Sequence, residues 1–279
     1  MRQEASTEAT KPSSSQRAGG TPVARRSALL HRFMVSTFRR YFTRHMNALR
    51  IAPWGMPAVP PQGPVIIYSN HPAWWDAAVY ILVADRFFPA YESYAPIDAA
   101  MLKQYGIFGR IGAFGVDLES RRGAADFLKV GAEILSARNR TLWITAQGRF
   151  GDVRERPLGL KPGVARLVER APDCTILPLA VEYGFWLERG AEAFIAFGEP
   201  MHGQDLLNLP RPARLERLEN ELTATLDHLS ADVQSRDPAR FRVVLEGRAG
   251  VGGFYDGWRR MAAALRGRTF DPSHEGRPS

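Results

Sequence analysis

Short apolar runs alternate along the chain with segments whose apolar residues return every three or four positions. The runs are "VIIYS" (65–69), "GAFGVDL" (112–118), "RTLWITA" (140–146), "CTILPLAVEY" (174–183) and "AFIAFGEPM" (193–201). Their length and flanking turn signals mark them as strands. Between them, "AWWDAAVYILVADRFF" (73–88), "RGAADFLKVGAEILSARN" (122–139) and "KPGVARLVERA" (161–171) read as helices, the second with its stripe at Phe127, Val130, Ile134 and Leu135. "PARLERLENELTATLDHLSADVQ" (212–234) predicts a long helix with Leu215, Leu218, Leu222, Leu226, Leu229 and Val233 on one side. Strands separated by helices predict an α/β fold: a single domain with a largely parallel central sheet flanked by helices.

Ahead of this pattern, "SALLHRFMVSTFRRYFTRHMNALRI" carries a helical apolar stripe, with Arg32, Arg39, Arg40, Arg44 and Arg50 mainly off it. Such a helix can lie in a headgroup layer or pack on its own domain. The expected divisions are a disordered basic tail (1–26), an amphipathic membrane-surface helix (27–50), the main domain (51–235) and a C-terminal extension (236–279) holding a short basic amphipathic helix. The tail has no apolar stretch of the kind a secretory signal needs, and no run approaches the ~20 apolar residues that span a bilayer.

Charge narrows the partners. The formal net charge is +8, and lysine occurs only at Lys11, Lys103, Lys129 and Lys161, so arginine carries nearly all of it. Arginine binds phosphate as a planar fork, which suits anionic metabolites or a lipid surface, although genome composition gives the same bias. Nucleic acid is a poor fit, since no zinc-finger spacing or RNP-type motif accompanies the charge. A lone cysteine, Cys174, excludes a disulfide framework and a cysteine metal site.

The candidate chemistry lies in "NHPAWWD" (70–76), behind the first predicted strand. His71 stands five residues before Asp76, and no other histidine of the chain has an aspartate at that spacing. Residues five apart on one helix point away from each other. They can meet if His71 precedes the helix and Asp76 lies in its first turns, an arrangement Pro72 favours if it takes the first helical position. A carboxylate on one ring nitrogen then leaves the other free as a general base. The chain has no G-x-S-x-G nucleophile elbow, so such a base would act on the substrate's own hydroxyl, without a covalent intermediate. Trp74 and Trp75 could wall off water, line a channel for a lipid tail, or simply pack in the core. The arginines and glycines of "RFGDVRERPLGLKPG" (149–163) offer phosphate contacts from Arg149, Arg154, Arg156 and Lys161 and from free amides at a helix start.

"NHPAWWD" resembles the N-H-x-x-x-x-D block of the glycerolipid (lysophospholipid) acyltransferase family, the PlsC-like enzymes. "GAFGVDLES", "LWITAQGRF", "TILPLAVEY" and "FIAFGEPM" follow where the family's later blocks fall, so the resemblance covers about residues 50 to 235. It implies that 51–235 is an acyltransferase domain with His71 as the base and Asp76 as its orienting partner. It further implies substrate contacts from Asn70, Gln147, Gly148 and Arg149. The donor would be acyl-CoA or acyl-carrier protein, with no cofactor or metal, and the acceptor a lysophospholipid, at the cytoplasmic face of the membrane. Three departures bear on the acceptor. Gln147 replaces the family's glutamate, Arg149 stands one position early with Phe150 in the arginine's place, and Leu118 rather than arginine follows Asp117. An acceptor hydroxyl on a carotenoid or glycolipid, or a lipid-binding relative without catalysis, are the alternatives.

Overall fold

The computed structural model of the protein describes residues 21–58, 63–117, 119–186 and 188–247. Most of the expected tail and most of the C-terminal extension, including the short helix expected there, lie outside the described residues. In chain order the elements begin with α1 (Pro22–Arg25), α2 (Ala28–His45), β1 (Met46–Ile51), β2 (Val65–Ser69), α3 (Asp76–Phe87), β3 (Glu92–Asp98), α4 (Ala99–Gln104), β4 (Ala113–Val116) and α5 (Arg121–Ile134). They continue with β5 (Arg140–Thr145), α6 (Gly163–Val168), β6 (Thr175–Gly184), β7 (Ala191–Phe197), β8 (Met201–His202), α7 (Gly203–Leu207), α8 (Arg211–Ser235) and β9 (Arg242–Glu246). The strands form a single sheet in the order β4-β3-β5-β2-β6-β7-β1-β9, with β8 paired to β6. Pairing is parallel except at β6–β7, β1–β9 and β6–β8, so the expected α/β architecture is present.

Continuous apolar runs form these strands because both faces of the sheet are covered. On β2, Ile66 and Tyr68 enter one layer while Val65 and Ile67 enter the other. The same alternation places Phe194 and Ala196 of β7 in the first layer and Ala193, Ile195 and Phe197 in the second. The first layer is closed by α5, α6 and α8 through Phe127, Leu167, Leu218, Leu222, Leu226 and Leu229. The second is closed by α2 and α3 through Phe42, Val79, Leu82 and Val83.

Two expected boundaries need correction. Residues 21–26, assigned to the tail, are ordered: Thr21 caps the short α1 and Pro22 is buried. The amphipathic helix ends at His45, not 50, and Met46–Ile51 is a wholly buried strand. Met46 and Leu49 extend the helical stripe of the sequence, but β1 finds parallel pairing to β7 and antiparallel pairing to β9. Ladder bonds to segments about 150 and 200 residues away override the local period. Arg50, expected on a polar helix face, instead bonds the fully buried Glu192 beside Asn47, with its guanidinium over the Trp186 ring. The sheet therefore draws on residues 46–50 and 242–246, on both sides of the span 51–235.

Candidate active site

β2 lies in the middle of the sheet, in register with β5 on one side and β6 on the other. The polar turn after its last residue, Ser69, therefore opens between the ends of two neighbours, where open α/β sheets place their sites. Three groups fasten this turn. Asn70 is buried and acts as a surrogate peptide: its Nδ2 donates to the Val181 carbonyl at 2.8 Å and its Oδ1 accepts from the Val181 N–H at 2.9 Å. Gln147, beyond the end of β5, accepts from the His71 N–H through Oε1 at 2.9 Å and donates to the Leu158 carbonyl through Nε2 at 3.0 Å. The Gly151 N–H closes the turn on the His71 carbonyl at 3.0 Å.

The helix begins at Asp76 rather than at Pro72, which sits in the loop. Even so His71 and Asp76 meet, with Nδ1 to Oδ2 at 2.6 Å. The carboxylate of Asp76 is fully buried, whereas the His71 side chain keeps 22% of its surface exposed. Asp76 Oδ2 also accepts from the Ala73 N–H at 3.3 Å, and Oδ1 accepts from the Tyr183 hydroxyl at 2.6 Å. Every neighbour of this carboxylate is a donor, so Nδ1 of the neutral ring carries the proton and Nε2 has the free lone pair. Burial, and then the negative Asp76, push the Tyr183 phenol well above its ordinary range, so it remains a donor.

One aromatic ring packs against the histidine. The Phe150 ring lies 4.2 Å from that of His71 and is 57% exposed, and Trp74 is 59% exposed. Trp75 turns away to stack on Tyr41 of α2 at 5.2 Å, so one tryptophan packs the domain and the other stays at the surface.

The expected substrate contacts divide. Asn70 and Gln147 are buried with their amides engaged inside the protein, and these bonds fasten the turn that carries His71. Gly148 has φ +64°, a left-handed turn that glycine adopts without strain, and the Lys161 stem packs against it. Arg149 is ion-paired to Glu155, whose carboxyl its hydrogen bond pulls below the usual range. Arg154 pairs with Asp152 and Arg156 with Asp227. Ahead of the helix that starts at Gly163, the amides of Gly159 and Leu160 donate to the Glu219 carboxylate at 2.8 and 3.4 Å. Of the four basic residues expected to meet phosphate, three thus have an internal counter-charge, and Lys161 forms no ion pair among the described residues.

Sequence reasoning overlooked Tyr183. The available signal was a hydroxyl-bearing residue at the end of the predicted, mainly apolar strand "CTILPLAVEY". Among the described residues no group of three or more histidine, cysteine or acidic side chains could hold a metal ion.

Residues 50–182 match the family model described as Acyltransferase. No curated protein matches the chain. The matched segment runs from the end of β1 through the "NHPAWWD" turn and the Gln147 loop to the Asn70 contact on β6. The chain carries an Acyltransferase-family domain at residues 50–182 and is an acyltransferase.

Proposed function

We propose that the protein is an O-acyltransferase that moves a fatty acyl group from acyl-CoA or acyl-carrier protein to a lipid hydroxyl, of the 1-acylglycerol-3-phosphate type, with His71 as general base. The observation that carries this reading is the 2.6 Å contact between His71 Nδ1 and a fully buried Asp76, with part of the His71 side chain still exposed. Nε2 takes the acceptor's proton as its oxygen attacks the thioester carbonyl. Asp76 stabilises the imidazolium that forms. The tetrahedral intermediate collapses, the C–S bond breaks, and the imidazolium returns the proton to the departing thiolate. The products are an ester and a free thiol.

Docking at the cytoplasmic face of a membrane fits α2. Its inner side buries Met34, Val35 and Phe42, while Leu29 and Phe33 stand 79% and 63% exposed among Arg32, Arg40 and Arg44. No helix among the described residues is long and apolar enough to cross a bilayer.

A second acceptor class is favoured by a specific observation. Phe150 lies against His71, and the nearby arginines 149, 154 and 156 already have carboxylate partners. These features suit a hydroxyl on an uncharged lipid, such as a glycolipid or a hydroxycarotenoid. Thiol release from acyl-CoA, measured with lysophospholipids, glycolipids and hydroxycarotenoids as acceptors, separates the two. In each case His71→Ala is expected to lose on the order of 10³-fold. Activity of that variant within tenfold of the parent would sink the base mechanism.

A further inference from the structure

We infer that Tyr183 is a positioning residue for the reaction, holding the Asp76 carboxylate in the plane and charge state that His71 requires. The inference rests on the reading of His71 as the base.

Asp76 has two oxygens with separate duties. Oδ2 receives His71 Nδ1 and the Ala73 N–H, whereas Oδ1 has a single hydrogen bond among the described residues, from Tyr183 at 2.6 Å. The carboxylate is sealed from solvent, so water cannot readily replace that donor. A carboxylate gripped at one oxygen can rotate about its terminal bond, but one gripped at both cannot. Tyr183 thereby fixes the line from Oδ2 to Nδ1, and with it the ring edge that faces substrate. It also ties three elements together, since Asp76 opens α3, His71 lies in the β2–α3 turn and Tyr183 belongs to β6. Asn70 reaches the same strand two residues earlier, at Val181. The match to the family model ends at 182, so Tyr183 lies one residue beyond it.

The hydroxyl has an electronic effect as well. A donor on Oδ1 draws charge from the carboxylate and reduces what it can give to the imidazolium. Deleting that donor therefore concentrates charge on the carboxylate and should favour the imidazolium, an effect a pH profile reads. Few other titratable groups face the dyad. Tyr80 on α3 engages Ser69 and, at 3.3 Å, the Asn70 carbonyl, and burial holds its phenol well above its ordinary range. The Arg149–Glu155 pair lies on the Phe150 loop, and His45 of α2 sits 6.3 Å from the Trp75 ring. Tyr183 also remains protonated through the acid limb of a pH profile.

The test is Tyr183→Phe in the full-length chain, assayed by thiol release from pH 5 to 9 beside the parent, Asp76→Asn and the double variant. Phenylalanine keeps the ring and deletes only the donor. The expected results are a kcat lower by roughly tenfold and an acid limb of kcat/KM shifted to higher pH by about half a unit. In the Asp76→Asn background the further loss should stay below about threefold, because the two residues act through one carboxylate. A residue that merely supports the fold would lower the melting temperature without moving the limb. An unmoved limb, or losses that multiply in the double variant, overturns the assignment. If instead His71→Ala stays within tenfold of the parent, the base reading itself has failed, an outcome visible independently of Tyr183.

Discussion

Replacing Asp76 with asparagine changes one atom and removes one buried charge. The amide still reaches both side-chain neighbours, but it has one acceptor oxygen where the carboxylate had two. With its oxygen toward His71, the NH₂ group faces Tyr183, whose hydroxyl can turn to accept, and the ring keeps its proton on Nδ1. With its nitrogen toward His71, the proton moves to Nε2 and the base is lost. Either way the imidazolium loses its counter-charge. Charge centres about 4 Å apart in an effective dielectric near 20 interact by about 4 kcal/mol. At about 1.4 kcal/mol per tenfold, the loss is on the order of 10³ in rate. It should appear in kcat with KM little changed, because the ground-state ring is neutral and only the transition state needs the charge. The assay is steady-state thiol release at saturating acyl-CoA, with melting temperatures recorded alongside. A natively folded Asp76→Asn protein retaining more than a tenth of the parent kcat would refute this account of the dyad.

Cys174 is buried, and that burial raises its thiol to about 12, so the native protein should not react with a disulfide reagent during the assay, while one thiol should react after denaturation. Above the ordinary thiol range the unfolded chain ionises Cys174 and the native one does not, so native stability should fall as pH climbs toward about 12; Cys174→Ala should lessen that slope in urea titrations. Glu192 is fully buried and accepts from both Arg50 and Asn47, so Glu192→Ala removes one buried carboxylate from this cluster and should cost about 1–3 kcal/mol in urea unfolding. A loss below about 1 kcal/mol there would mean that the charge had found other compensation.

Much of the candidate site was legible in the residues. A polar turn behind an apolar strand, a histidine spaced from an aspartate and a proline between them point to a dyad, and the two side chains do meet. The duties of Asn70 and Gln147 were not legible. Both read as ligand contacts, yet their partners are backbone groups at Val181 and Leu158, which only folding brings to the turn. Arg149, Arg154 and Arg156 read as free cations because a sequence lists charges without pairing them; the partners Glu155 and Asp152 are local, but Asp227 arrives from α8.

By itself the sequence determined what is local: the period of each helix, the sheet's largely parallel character implied by strands separated by helices, and the type of chemistry one turn could hold. Tertiary structure decided which residues left the helix at His45 to join the sheet, which cations were neutralised, and which hydroxyl completed the Asp76 environment. The reason is the range of the forces. Side-chain periodicity and backbone preference act over a few residues, whereas strand pairing, burial and ion pairing are settled between segments that are distant along the chain and adjacent only once folded.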